Sequence, residues 1–231
     1  MTTPSSTTTA PARFLLLGDS HAGPVGRAAH AAGIAFQGGP LGAGREFTGD
    51  FFTVAVKDVV FRKQESDAYY RGFLAALDTP ALGALTVPLV STFGLCAHFV
   101  ATAANWRIHR LPAGPFAPGF LGSALFDAIV LAMVGGAVDF YRHALGLGLR
   151  VLAVMPPQRV PDHCDPLVFA AAQESIRTEL VRVGVEMVDL RARSTGPDGL
   201  QRPEFCEADD AIHGNLAFGR LILSDLLARG L

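Results

Sequence analysis

Cysteine is scarce in this chain. Cys96, Cys164 and Cys206 are the only three in 231 residues, too few and too scattered for a disulfide scaffold, and no Cys-x-x-Cys pair is present to hold zinc. Charge is also sparse: Asp, Glu, Lys and Arg make up 17% of the chain. Nineteen basic residues against 21 acidic ones leave a formal net charge of −2, without a basic stripe, which argues against nucleic acid as a partner. Residues 1–12 contain no basic residue and no apolar run. They read as a polar, disordered tail rather than a secretory signal. Residues 80–106 lack charge altogether, but Pro80, Pro88, His98 and Asn105 interrupt them. A buried strand followed by a sheltered loop accounts for this stretch better than a membrane span, so no membrane partner is expected. These absences together point to a reducing, cytoplasmic setting.

What the chain does have is apolar residues, 50% of the total, enough for a large core. The length fits one domain over residues 13–231, with loop insertions at about 45–65 and 97–122. The run Arg13-Phe14-Leu15-Leu16-Leu17 reads as a buried strand stopped by Gly18. A helix over 25–32 ends at Gly33, and Ile34-Ala35-Phe36-Gln37 forms a second strand before the loop GGPLGAG. Residues 51–61 read as a hairpin outside the main sheet, and 66–77 as a helix. Strands follow at 85–92, 150–155 and 185–188, and helices at 124–145, 166–183 and 215–228. Gly135-Gly136 is a weak point in the first of those three helices. The Pro/Gly-rich stretch 111–122 reads as an apolar loop. Strands alternating with helices imply a parallel sheet covered on both faces, with any ligand beyond the carboxyl ends of the strands.

Two short segments there could carry chemistry. Gly18-Asp19-Ser20-His21 follows the first strand and opens a helix, where backbone N–H groups point outward and can stabilise developing negative charge. A serine hydroxyl needs a base held by a third group, and otherwise Asp19 or Ser20 is simply a helix cap. Near the other end, Asp210-Ala211-Ile212-His213 precedes the last helix, with the carboxylate spaced to hold the imidazole in one orientation. Asp209 could cap instead. The cluster Asp162-His163-Cys164-Asp165, even with Cys206 and Glu207, fits no zinc spacing. GGPLGAG lacks the Lys-Ser/Thr of a phosphate-binding loop.

Gly18-Asp19-Ser20, Asp210-x-x-His213, Pro156-Pro157 after the fourth main strand and the strand–helix order together resemble the SGNH (GDSL-type) hydrolase superfamily. The resemblance implies a flavodoxin-like three-layer α/β/α fold with a central parallel sheet. It implies a serine esterase or acyltransferase working through a covalent acyl-enzyme, without cofactor or metal, on a small-molecule or glycan ester. Ser20 would be the nucleophile, His213 the base and Asp210 its partner. Gly42 corresponds to the family's oxyanion glycine, with Gly38, Gly39 and Gly44 competing for the role. The family's oxyanion asparagine has no clear counterpart. Gly94-Leu95-Cys96 stands where its Gly-x-Asn is expected, and of the two asparagines Asn215 reads as a helix start. Asn105 is left as the candidate donor from a loop, with His98 as a substitute. The departure leaves room for a catalytically impaired binding protein on the same fold.

Overall fold

The structure is a computed structural model and describes residues 11–112 and 114–231. Most of the tail expected at 1–12 therefore lies outside the described residues. From the first strand, β1 (Leu15–Gly18), the chain runs through helix α1 (Ala22–Ala31) to β2 (Gln37–Pro40). A hairpin, β3 (Phe52–Ala55) and β4 (Asp58–Phe61), precedes α2 (Gln64–Ala76) and β5 (Leu89–Ser91). Then come α3 (Ala124–Met133), α4 (Gly135–Gly146), β6 (Val151–Val154) and α5 (Pro166–Val183). The chain ends with β7 (Glu186–Val188), α6 (Arg191–Ser194) and α7 (Leu216–Ala228).

Five strands form one parallel sheet in the order β2-β1-β5-β6-β7, the flavodoxin-like order expected for the fold. Leu15, Leu16 and Leu17 are fully buried because β1 is covered on both faces. The period of two sorts these side chains between two cores. Leu15, Leu17, Leu89, Val151 and Ala153 face one core, shared with α2, α3, α4 and α5. Leu16, Val90, Leu152 and Val154 face the other, shared with α1 and α7. The result is the three-layer arrangement.

Several boundaries differ from those expected. The second strand lies at 37–40, not 34–37, because glycine permits a close approach there. A Cβ at Gly38 would sit 1.9 Å from the Leu16 carbonyl oxygen, and its φ of +113° is reserved for glycine. The strand expected at 85–92 shrinks to 89–91, with Pro88 immediately before it. The helix expected at 124–145 is two helices, bent by 78° at Val134. The Gly136 amide there donates to the Thr48 carbonyl instead of continuing the first helix. No helix among the described residues is long and apolar enough to cross a membrane.

Both segments expected as loop insertions pack into the core. In the first, Phe47 stacks on Phe93 with ring centroids 4.4 Å apart, and Phe51 and Phe61 of the hairpin region flank them. In the second, Trp106 is buried and donates through Nε1 to the Val100 carbonyl. Arg110 pairs there with Asp165, whose carboxylate also caps α5 at the Leu167 and Val168 amides.

Gly38→Ala should therefore destabilise the fold far more than Gly33→Ala. Gly33 also has positive φ, +66°, but a Cβ there meets nothing within 4 Å. We expect about 1 kcal/mol for Gly33→Ala, the cost of a left-handed alanine. Gly38→Ala adds a backbone collision and should cost at least about 3 kcal/mol. Urea midpoints of the two variants measure the difference, and equal midpoints would contradict the close β1–β2 approach.

Candidate active site

Ser20 and His213 are separated by 193 residues in sequence and meet at the carboxyl edge of the sheet. Ser20 lies two residues past the end of β1, in the corner that opens α1. Its Oγ is 2.7 Å from His213 Nε2, and His213 Nδ1 is 2.7 Å from Asp210 Oδ2. The Asp210 carboxylate accepts from Nδ1–H, which leaves Nε2 free to accept the serine hydroxyl hydrogen. Asp210 Oδ1 also accepts from the Ile212 and His213 amides, both at 2.7 Å. Burial pushes the Asp210 carboxyl upward, but its hydrogen bonds from the His213 ring and from those amides outweigh it. They hold the carboxyl well below the usual range. Asp209, the competing carboxylate, is exposed in a left-handed turn and caps nothing.

The loop carrying this pair is clamped from behind. Arg159, three residues past Pro156, donates to the carbonyls of Glu207 and His213 at 3.0 and 2.9 Å. Asn215 caps α7 through Oδ1 at the Ala217 and Phe218 amides, while its Nδ2 donates to the Glu204 and Cys206 carbonyls. Asn215 is thus the helix start that its position implied.

Beside Ser20 lies an open depression lined by Pro40, Leu41, Gly42, Ala43, Lys63, Glu65 and Tyr69. Gly38 and Gly39 are inside β2, and Gly44 packs under Asp19 and Phe99, so Gly42 is the glycine beside the serine. Among the described residues the Ser20 and Gly42 amides make no hydrogen bond. Asn105 must be corrected: it is exposed on a 3-10 turn (Ala103–His109) and does not line the depression. The turn buries Trp106 instead, which directs Asn105 to solvent. The wall formed by Lys63, Glu65 and Tyr69 was not legible in the sequence, since Lys63 and the first turns of α2 carry no motif.

No family model matches this sequence, and no curated protein matches it. Solved structures with a similar chain path include a GDSL-like lipase from Bacteroides thetaiotaomicron, 13% identical with a TM-score of 0.49, covering 94% of this chain and 86% of that one. An acetyl xylan esterase is 11% identical with a TM-score of 0.47, covering 94% of this chain and 100% of its own. Phospholipase A1 from Streptomyces albidoflavus is 13% identical with a TM-score of 0.46, covering 96% and 100%.

Beneath Ser20 the chain buries a second polar network. Asp19 is fully buried; its Oδ1 accepts from the His21 amide at 2.9 Å and the Thr92 hydroxyl at 2.8 Å, and its own amide donates to Thr92 Oγ1. A Cβ at Gly18 would lie 2.2 Å from that Thr92 oxygen, so glycine is required for β1 and the end of β5 to come this close. His21 Nε2 is 2.9 Å from Cys96 Sγ, and His98 Nδ1 is 2.7 Å from it on the other side. Cys96 is therefore engaged by two histidines. Burial, with the nearby Asp19 carboxyl, pushes its thiol pKa well up. Burial also lowers His21 to about 3 and His98 to about 4, with like charge on neighbouring histidines adding to the effect. Asp162 to Asp165, Cys206 and Glu207 do not gather: Cys164 Sγ faces the His98 carbonyl, and Glu207 pairs with Arg27.

Burial raises Asp19 to about 6, against the lowering effect of Thr92 and the His21 amide. A carboxyl raised on folding binds protons preferentially in the folded state, so stability falls as pH rises from about 4 through about 6. Asp19→Asn removes this loss and keeps the oxygen that accepts from Thr92. Its melting temperature should gain on that of the parent as pH goes from 4 to 7, by the equivalent of about 2 kcal/mol. A difference independent of pH would contradict a raised Asp19.

Proposed function

We propose that this chain is a serine esterase or acyltransferase of the SGNH (GDSL-type) class, acting on a small-molecule or glycan ester. The observation that carries the reading is the unbroken relay from Ser20 Oγ to His213 to Asp210, 2.7 Å at each step. Ser20 Oγ attacks the ester carbonyl carbon while His213 Nε2 takes its proton, and Asp210 stabilises the imidazolium that forms. The carbonyl oxygen becomes an oxyanion held by the Ser20 and Gly42 amides. The tetrahedral intermediate collapses as the imidazolium protonates the departing alkoxide, leaving an acyl-Ser20 ester. Water or an acceptor alcohol then gives its proton to His213 and attacks the acyl carbon, and the imidazolium returns that proton to Ser20 Oγ as the acyl–Ser20 bond breaks. The open depression beside Ser20 offers an apolar floor in Leu41 and polar groups in Lys63, Glu65 and Tyr69 for the substrate. The three cysteines are free, which suits a reducing compartment such as the cytoplasm.

A second reading, a catalytically impaired binding protein, draws on one observation: Cys96, at the end of the Gly94-Leu95-Cys96 segment where the resemblance expects Gly-x-Asn, has its sulfur engaged by His21 and His98. Loss of one oxyanion donor lowers turnover by about 10²–10³ without abolishing it. The rate of labelling by a fluorophosphonate probe separates the readings, since an active site with a full oxyanion hole labels Ser20 rapidly, whereas one that keeps the relay but lacks a donor labels it slower by about 10²–10³. We expect labelling and hydrolysis of short-chain p-nitrophenyl esters in the parent, and neither in Ser20→Ala. Asp210→Asn should lower turnover by about 10⁴ through the wrong histidine tautomer, while Asp209→Asn changes it little. Equal rates for the parent and Ser20→Ala would overturn the assignment.

A further inference from the structure

His21, Cys96 and His98 each offer one metal-ligating atom, and these atoms lie within 4.8 Å of one another in a buried cluster. The three residues are 5–6% exposed. They come from two segments that the sheet brings side by side, the corner after β1 and the loop after β5. We propose that this cluster is a binding site for a borderline transition-metal ion of the zinc class, built from none of the relay residues but adjoining the relay, with the His21 ring centroid 5.0 Å from that of His213.

The donor set argues for that class of ion. Two imidazole nitrogens and a sulfur, without a carboxylate among them, favour zinc and its neighbours over magnesium or calcium. Three protein ligands leave a fourth tetrahedral position for water, the pattern of an open zinc site. Charge also balances. Binding displaces the Cys96 thiol proton to solvent, and the resulting thiolate with the Asp19 carboxylate offsets a dication.

Asp19 stands at the edge of the cluster. A Cβ at Gly44 would lie 2.9 Å from Asp19 Oδ2 and 3.5 Å from Cys96 Cβ, so the two side chains border the same small space. Oδ2 is buried and has no hydrogen-bond partner, and neither does His21 Nδ1. Orphaned buried polar atoms are costly, and a neighbouring cation compensates a carboxylate oxygen. Hydrogen-bonded nitrogen–sulfur distances of 2.9 and 2.7 Å are shorter than the roughly 3.5 Å between ligand atoms on a tetrahedral zinc. Uptake therefore opens the cluster by a small outward rotation of the two imidazole rings.

The test uses the purified full chain after chelator treatment, titrated with zinc by calorimetry and with cobalt(II) by absorption. We expect one ion per chain and a thiolate-to-cobalt charge-transfer band that zinc abolishes. Cys96→Ser should eliminate the band, and His98→Gln should weaken zinc binding by at least about tenfold. Cys164→Ser and Cys206→Ser should leave both measurements unchanged. Circular dichroism establishes that each variant is folded. Zinc should also raise the melting temperature of the unsubstituted protein in a concentration-dependent way, a readout that needs no substitution. No thiolate band with cobalt, a band that survives in folded Cys96→Ser, or a melting temperature indifferent to zinc would each overturn the proposal.

Discussion

The hydrogen bonds between Asp19 and Thr92 join the carboxyl ends of β1 and β5, and the geometry around Ser20 depends on them. β1 and β5 are where the chain reverses its direction of travel across the sheet, so a crevice opens between the segments leaving the two strands. Asp19 spans that crevice from below. One oxygen holds the Thr92 hydroxyl and the His21 amide together, so the residue between Asp19 and His21, Ser20, is presented upward at the start of α1. The arrangement needs Gly18, because a side chain there would occupy the space taken by Thr92. It also requires burying a carboxyl, and the stability lost as that carboxyl ionises is the counterpart of a rigid corner.

The second half of the site is held by different means. His213 and Asp210 lie on an irregular loop, and such loops keep their shape only when their backbone groups have partners. Arg159 and Asn215 supply those partners to the carbonyls on either side of the loop, while Asn215 simultaneously starts α7. Because α7 packs with α1 on one face of the sheet, the two ends of the chain are registered to each other by a shared hydrophobic core. The distance between Ser20 and His213 is a consequence of that packing more than of any local preference.

Local order is therefore legible where it depends on local physics. The leucine run of β1, the Asp165 cap and Pro166 start of α5, and the Asn215 cap of α7 follow from burial and capping preferences written into a few adjacent residues. The second strand falls later than its neighbours' propensity suggests because it contains glycines, whose strand formation depends on an adjoining backbone and not on their own preference. Asn105 departs from expectation for a related reason. An asparagine in a loop has no intrinsic direction, and the burial of Trp106 next to it decides which way it faces.

By itself the sequence determined the alternation of strands and helices, the absence of a basic stripe, and the residue types available at the strand ends: Ser20 after β1, and Asp210 three residues before His213. Hydrophobic periodicity, composition and short-range spacing are properties of the chain read in order, so they survive without a structure. Only the tertiary structure decided which groups touch. It brought Ser20 to His213 across 193 residues, set Thr92 under Asp19, and gathered His21, Cys96 and His98 into one buried cluster. Those contacts arise from the parallel pairing of β1 with β5 and the packing of α7 on α1. Distant segments converge there at ångström precision, for which no spacing within the chain provides a measure.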